Sequence, residues 1–194
     1  DLTLRPLPDD ARDALTEDLA AMAGPVATLP GGSLRLAAGA QVSALPGFAG
    51  GQWWVQDAAA ALPAQILAAQ PGERVLDLCA APGGKTMQLA ATGASVTALD
   101  LSGERLKRLS ANLSRTGLSA EIIRNDALTW QPDTPFDAIL LDAPCSATGT
   151  IRRHPDLPLI RKPGDIAALS ELQAQLIDRA LAMLRPGGRL AYCT

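Results

Sequence analysis

The 194-residue sequence predicts an α/β fold: a doubly wound, mostly parallel sheet with helices on both faces, preceded by a small α+β segment. Three observations predict it. From Arg74 onward, short apolar runs alternate with amphipathic stretches of helical period. Turns rich in Gly and Pro punctuate them. Several of the apolar runs end on an aspartate. Alternation of this kind yields parallel strands, because each return to the sheet needs a helical crossover.

The elements follow in chain order. Asp9–Met22 places Ala14, Leu15, Leu19 and Met22 at helical spacing, and Ser33–Leu36 reads as a short strand. Turns are expected at Pro30-Gly31-Gly32 and Pro46-Gly47. Trp53–Leu67 reads as a turn into an Ala-rich helix, capped by Asp57 and kinked or restarted at Pro63. Val75–Leu78 is a buried strand, Pro82-Gly83-Gly84 a turn and Lys85–Ala91 a helix. Ser95–Leu99 is a second strand. Ser102–Gly117 is a helix with Leu106, Leu109 and Leu113 on one face and Gly117 as its stop. Glu121–Arg124 and Phe136–Leu141 are the third and fourth strands. Ile166–Leu184 is a long helix with Leu169, Leu172, Leu176 and Met183 inward, and Arg189 begins a fifth strand after the Pro186-Gly187-Gly188 turn. Two regions are expected: residues 1–50, the end of an α+β module and a linker, and residues 51–194, the sheet domain. The chain begins at Asp1 and ends at Thr194 inside a strand just begun, so further chain is expected at both ends and the C-terminal strands are expected to be missing.

Composition narrows the function classes. A hydrophobic fraction of 47% supports a true core. A dedicated electrostatic nucleic-acid binder is usually basic, and the net charge here is −3, so any RNA contact must rest on a local patch or on a part of the protein outside this segment. No apolar run spans a bilayer and no signal peptide is visible. Three cysteines, Cys79, Cys145 and Cys193, make neither a disulfide framework nor a zinc site. The expectation is a monomeric cytoplasmic protein with no metal and no membrane partner.

Ligands of open parallel sheets bind beyond the carboxyl ends of the strands. Those ends carry Asp77, Asp100, Asp126 and Asp142. One such Asp merely caps a helix, but several with a glycine turn form a constellation. The loop Cys79-Ala80-Ala81-Pro82-Gly83-Gly84-Lys85 has neither the Walker spacing nor the Gly-x-Gly-x-x-Gly pattern. Its small residues let backbone pass close to a ligand. Asp100, at the second strand end, suits ribose hydroxyls, and Asp126 suits an adenine amino group. A cofactor with ribose and adenine but no pyrophosphate is implied, and S-adenosylmethionine fits.

Asp142-Ala143-Pro144-Cys145 follows the fourth strand, where substrate would meet the methyl donor. The Cys145 thiol is either a functional group, nucleophilic as thiolate, or a structural cysteine. A thiol facing a methyl donor suits cytosine C5, which becomes nucleophilic only after thiolate addition at C6. Arg152-Arg153-His154 with Arg161-Lys162 is the densest basic cluster; Arg152, Arg153 and Lys162 are the candidate RNA contacts, against the alternative of a solvated loop. No acid–base duty is assigned to His154.

LCAAPGGKT (Leu78–Thr86), ALD (Ala98–Asp100), Asn125-Asp126 and DAPCSATG (Asp142–Gly149) together resemble the RNA cytosine-5 methyltransferases, most closely the bacterial 16S rRNA enzymes of the Sun/Fmu type. Trp53–Pro63 resembles that family's entry to its catalytic domain, and the likeness spans most of residues 48–194. It implies a Rossmann-like S-adenosylmethionine-dependent methyltransferase fold, with an RNA-binding module ending in residues 1–50. It further implies that Cys79–Lys85, Asp100, Asp126 and Asp142 hold the cofactor, and that RNA, 16S rRNA in particular, is the partner. Cys145, beside Asp142, then assists catalysis, chiefly in product release. The nucleophile belongs to a later Thr-Cys-Ser motif that aligns just past Thr194, and Cys193 stands two positions before it, so this segment alone is expected to be inactive. Two rivals stand beside this reading: an enzyme whose nucleophile is Cys145 itself, as in the DNA cytosine-5 enzymes, and a non-catalytic cofactor- or RNA-binding homologue.

Overall fold

The computed structural model describes residues 1–37, 39–152, 154–160 and 162–194. Two sheets organise it. The first is antiparallel and built from β1 (Leu2–Leu4), β2 (Ala27–Thr28), β3 (Leu34–Arg35) and β4 (Trp53–Val55) in the order β2-β3-β1-β4. Helix α1 (Asp9–Ala23) buries Leu15 and Leu19 against Leu2, Leu34, Leu45 and Trp53.

Trp53–Val55 is a strand, where the sequence reads as a turn. Its register is Thr3↔Trp54 and Leu4↔Trp53. Successive strand residues face opposite ways. Trp53 therefore enters the α1 core, while Trp54 enters a second core with Ala80, Ala81, Met87, Leu106, Leu109 and Leu113. A strand buried on both faces shows no polar alternation, and its pairing partner lies some fifty residues away, so local patterning does not disclose it. Each indole N–H is satisfied, Trp53 Nε1 by the Pro46 carbonyl at 2.8 Å and Trp54 Nε1 by Gln56 Oε1 at 2.7 Å.

Helix α2 (Ala58–Leu67) starts where Asp57 accepts from the Ala59 amide at 3.0 Å, as its capping role predicts. It runs unbroken through Pro63 rather than restarting there. The second sheet contains β5 (Arg74–Leu78), β6 (Ser95–Asp100), β7 (Glu121–Arg124), β8 (Phe136–Asp142) and β9 (Leu184–Cys193), ordered β7-β6-β5-β8-β9 and parallel throughout. Helices α3 (Gly84–Ala91) and α4 (Gly103–Thr116) pack with α2 on one face. Helix α6 (Pro163–Met183) covers the other through Leu176, Ala180 and Met183; the short α5 (Leu157–Ile160) precedes it. The strand expected from Arg189 begins earlier, at Leu184. Phe136 pairs with Leu184 and Ala138 with Arg189, so the Pro186-Gly187-Gly188 segment is an irregularity within β9 and not a separate turn. No helix among the described residues is long and apolar enough to cross a membrane.

The antiparallel unit docks on the C-terminal turn of α4. Arg115 Nη1 donates to the carbonyls of Phe48 at 2.7 Å and Trp53 at 3.1 Å, and its guanidinium lies 4.2 Å from the Phe48 ring centroid. Arg5 Nη1 donates to the Thr116 carbonyl at 2.7 Å, a favourable place for a cation at a helix C-terminus. Gly51 lies between the two, at φ +67°, and a Cβ there would stand 2.3 Å from the Arg115 carbonyl oxygen and 2.5 Å from Thr116 Cα. Backbone on both sides cannot yield. Gly51→Ala is expected to destabilise the chain by about 2–4 kcal/mol, from positive-φ strain plus forced separation of the two units; urea unfolding of the two proteins measures it.

Candidate cofactor and catalytic site

The sheet order reverses around β5, whose neighbours are β6 and β8, and this switch point is where the loops after β5 and β8 part. The loop after β5 is tied to the end of β6. The Ala80 amide donates to the Leu99 carbonyl at 3.1 Å and the Ala81 amide to Asp100 Oδ2 at 3.1 Å. Asp100, 4% exposed, also accepts from the Ser102 amide at 2.8 Å and pairs with Arg105 at 3.3 Å. Arg105 donates in turn to the Ala81 carbonyl. The Pro82 carbonyl accepts from Asn112 at 3.1 Å. Cys79 has φ 63° and Gly83 φ 104°. A Cβ on Gly83 would stand 2.9 Å from Leu109 Cγ, so this glycine is required by the chain's own packing of the loop against α4.

Two cavities flank the loop. The smaller, about 120 Å³, is lined by Cys79, Leu99, Leu101, Leu128, Pro144, Leu172 and Leu176, with Asp100, Asn125 and Asp126 among the polar groups. Asp126 uses Oδ1 to accept from the Leu128 amide at 2.9 Å, and Oδ2 has no hydrogen-bond partner among the described residues. The larger cavity, about 410 Å³, lies where the antiparallel unit meets the parallel sheet. Phe48, Trp54, Asp57, Asn112 and Arg115 line it, together with Lys85 and Asp142.

Lys85 Nζ and Asp142 Oδ2 form an ion pair of 2.8 Å across the switch point, with the lysine side chain 12% exposed. Cys193 stands opposite Asp142 in the register, and its thiol reaches Asp142 Oδ1 at 3.5 Å. Burial, then the Asp142 charge, pushes that thiol up to about 12. Burial, followed by the Asp100 and Asp77 charges, does the same to Cys79, also to about 12. Both are held as neutral thiols. Cys145 is half-buried, and its sulfur accepts from the Ala147 amide at 3.4 Å. Beneath the loop Asp77 is wholly buried, bonded by Thr86 Oγ1 at 2.6 Å, and its other oxygen has no hydrogen-bond partner among the described residues. Burial raises its carboxyl from 3.8 to about 7.

The structure thus brings Cys79–Lys85, Asp100, Asp126, Asp142 and Cys145 to one end of the sheet. Arg152 and Lys162 are exposed and line neither cavity; Arg153 lies outside the described residues. Among the described residues no cluster of His, Cys, Asp or Glu is arranged to hold a metal. Arg105 and Asn112, which clamp the loop, are absent from the sequence-derived site. A charged residue in the first turn of a surface helix looks like any other until the loop folds back on it.

This sheet order, with its binding loop at the switch point, defines a Rossmann-like S-adenosylmethionine-dependent methyltransferase fold. The chain belongs to the 16S rRNA methyltransferase RsmB/F family, whose model matches residues 64–194. It is 50% identical over 167 residues to the ribosomal RNA small subunit methyltransferase B of Cronobacter sakazakii, an alignment covering 84% of this chain and 39% of that relative. The chain therefore spans well under half the length of the relative it matches. Among solved structures it resembles a methyltransferase homolog from Pyrococcus horikoshii (TM-score 0.80, 29% identity, 100% of this chain and 64% of that one). It also resembles NSun6 from the same organism, solved with SFG (TM-score 0.72, 29% identity, 83% and 44%).

The buried acid has a measurable signature. Folded protein keeps the Asp77 proton up to about pH 7, whereas the unfolded chain releases it near the ordinary carboxyl value of 3.8. Between those values the folded state binds more protons, because burial disfavours the charged carboxylate, so this group's contribution falls as pH rises and is flat above about 7. Asp77→Asn, which retains the link to Thr86, is expected to be more stable than the parent at about pH 8, with the gap closing toward about pH 4. Urea titrations across that range read it.

Proposed function

We propose that this chain forms the donor side of an RNA cytosine-5 methyltransferase acting on 16S rRNA, with S-adenosylmethionine as cofactor. The observation that carries the reading is the convergence of Asp100, Asp126 and the Lys85–Asp142 pair around the Cys79–Gly83 loop, beside the Cys145 loop. The small cavity fits an adenosine by the chemistry of its lining: apolar walls for a ring, the Asp126 Oδ2 for an exocyclic amine, and the acceptor site left on Asp100 Oδ1 beside the Ser102 amide for a ribose hydroxyl. Carboxylates outnumber cations near the loop, which suits a positively charged sulfonium. The bound cofactor supplies an electrophilic methyl group.

On the chain's own side, Asp100 orients the loop through the Ala81 amide, and Lys85 sets the direction of Asp142. The larger cavity, with Lys85 and Asp142 on its wall and Asn112 and Arg115 as donors, is the entry for the acceptor nucleotide. Cytosine C5 is a poor nucleophile. A thiolate that adds to C6 makes C5 enamine-like, and later loss of the C5 proton expels the thiol. In this reading the adding thiol is expected after Thr194, as the family resemblance implies, and Cys145 assists release. The raised, neutral thiol of the half-buried Cys193 agrees with its exclusion from the attacking role.

Two experiments test this. Calorimetry should detect S-adenosylhomocysteine binding to the folded chain, and Asp126→Ala should weaken it roughly 10- to 100-fold, the worth of a hydrogen bond to a charged group. A folded chain that does not bind refutes the cofactor reading. In a protein continuing past Thr194 into the family's Cys-Ser, Cys145→Ala should accumulate a covalent protein–RNA adduct. Loss of the adduct in that variant would make Cys145 the nucleophile instead.

A further inference from the structure

The Cys145 loop is held by a side chain that no sequence motif marks. Gln173, on the sheet-facing side of α6, donates from Nε2 to the Pro144 carbonyl at 2.7 Å, and its Oε1 accepts from the Tyr192 hydroxyl at 3.0 Å. The polarity of this chain of bonds is forced. A carbonyl only accepts, so the amide must turn its nitrogen to Pro144, and its oxygen is then left for Tyr192 to donate to. The Pro144 carbonyl belongs to the peptide unit that enters Cys145, so fixing it fixes the plane from which the Cys145 side chain departs. The other end of the relay, Tyr192, sits on β9 directly before Cys193. The Cys193 carbonyl accepts from the Ala143 amide at 2.9 Å, at the start of the same loop. The loop is thus gripped twice by β9, once directly through backbone and once through Tyr192 and Gln173.

We infer that Gln173, oriented by Tyr192, is a positioning residue that sets the Cys145 thiol relative to the end of β9. The inference rests on the proposed role of Cys145 for its catalytic meaning, and on geometry alone for the placement. Alkylation by iodoacetamide, followed thiol by thiol by mass spectrometry, separates the two. Cys79 and Cys193, both pushed up to about 12, serve as slow internal references. Gln173→Met keeps the length of the side chain and removes both bonds; Tyr192→Phe removes only the orienting hydroxyl. Cys145 labelling is expected to accelerate about three-fold or more in Gln173→Met and by a smaller factor in Tyr192→Phe, with the two reference thiols and the melting temperature unmoved. An unchanged or slower Cys145 rate in both variants overturns the relay, and Tyr192→Phe alone decides the matter if Gln173→Met does not fold. In the longer protein, Gln173→Met should also slow release of methylated RNA. Faster labelling without slower release keeps the relay and removes the assisting role from Cys145.

Discussion

The site depends on one buried carboxylate. Asp100 ends β6, yet its two oxygens hold the Ala81 amide of the loop after β5, the Ser102 amide that opens α4, and the Arg105 guanidinium. Without it the Ala81 amide would lose its acceptor, and the loop after β5 would keep only its ties to the Leu99 carbonyl, Arg105 and Asn112. An amide pointing into an almost solvent-free corner needs an acceptor, and a buried carboxylate needs donors; each satisfies the other. Lys85 and Asp142 repeat the device across the switch point, tying the start of α3 to the end of β8. Two strand ends that lie next to β5 in the sheet therefore reach the same loop from opposite sides.

The antiparallel unit completes this arrangement from above. Trp53 and Trp54 are neighbours in sequence and sit in different cores, so β4 belongs to both units at once. Arg115 and Gly51 then bring backbone to backbone at the end of α4, and the same helix supports the cofactor loop through Leu109 and Asn112. The junction and the cofactor loop therefore rest on the same helix. The larger cavity exists only because the two units meet along that line.

Much of the parallel sheet was legible in the sequence. Val75–Leu78, Ser95–Leu99, Glu121–Arg124 and Phe136–Leu141 are local apolar runs, and the α4 stripe of Leu106, Leu109 and Leu113 is buried as its period predicts. Asp57 and Gly117 cap their helices as their chemistry demands. Two of the departures share a cause. Trp53–Val55 is a strand because of β1, far away in the chain, and Pro186–Gly188 joins β9 because β8 imposes pairing on either side of it. Arg105, Asn112 and Gln173 act through the loops they hold, and no local pattern records a loop that returns to a helix from another part of the chain.

The sequence by itself determined the class of fold, the loop after the first strand of the parallel sheet, and the aspartates at the strand ends, because each follows from residues adjacent in the chain. Only the tertiary structure decided which oxygen of Asp100 meets the Ala81 amide, that Gly83 is required by Leu109, that burial keeps Asp77, Cys79 and Cys193 protonated well above their ordinary ranges, and that Gln173 reaches Pro144. Hydrogen-bond partners and desolvation are properties of what surrounds a group in space, and the chain sets those surroundings only once it has folded.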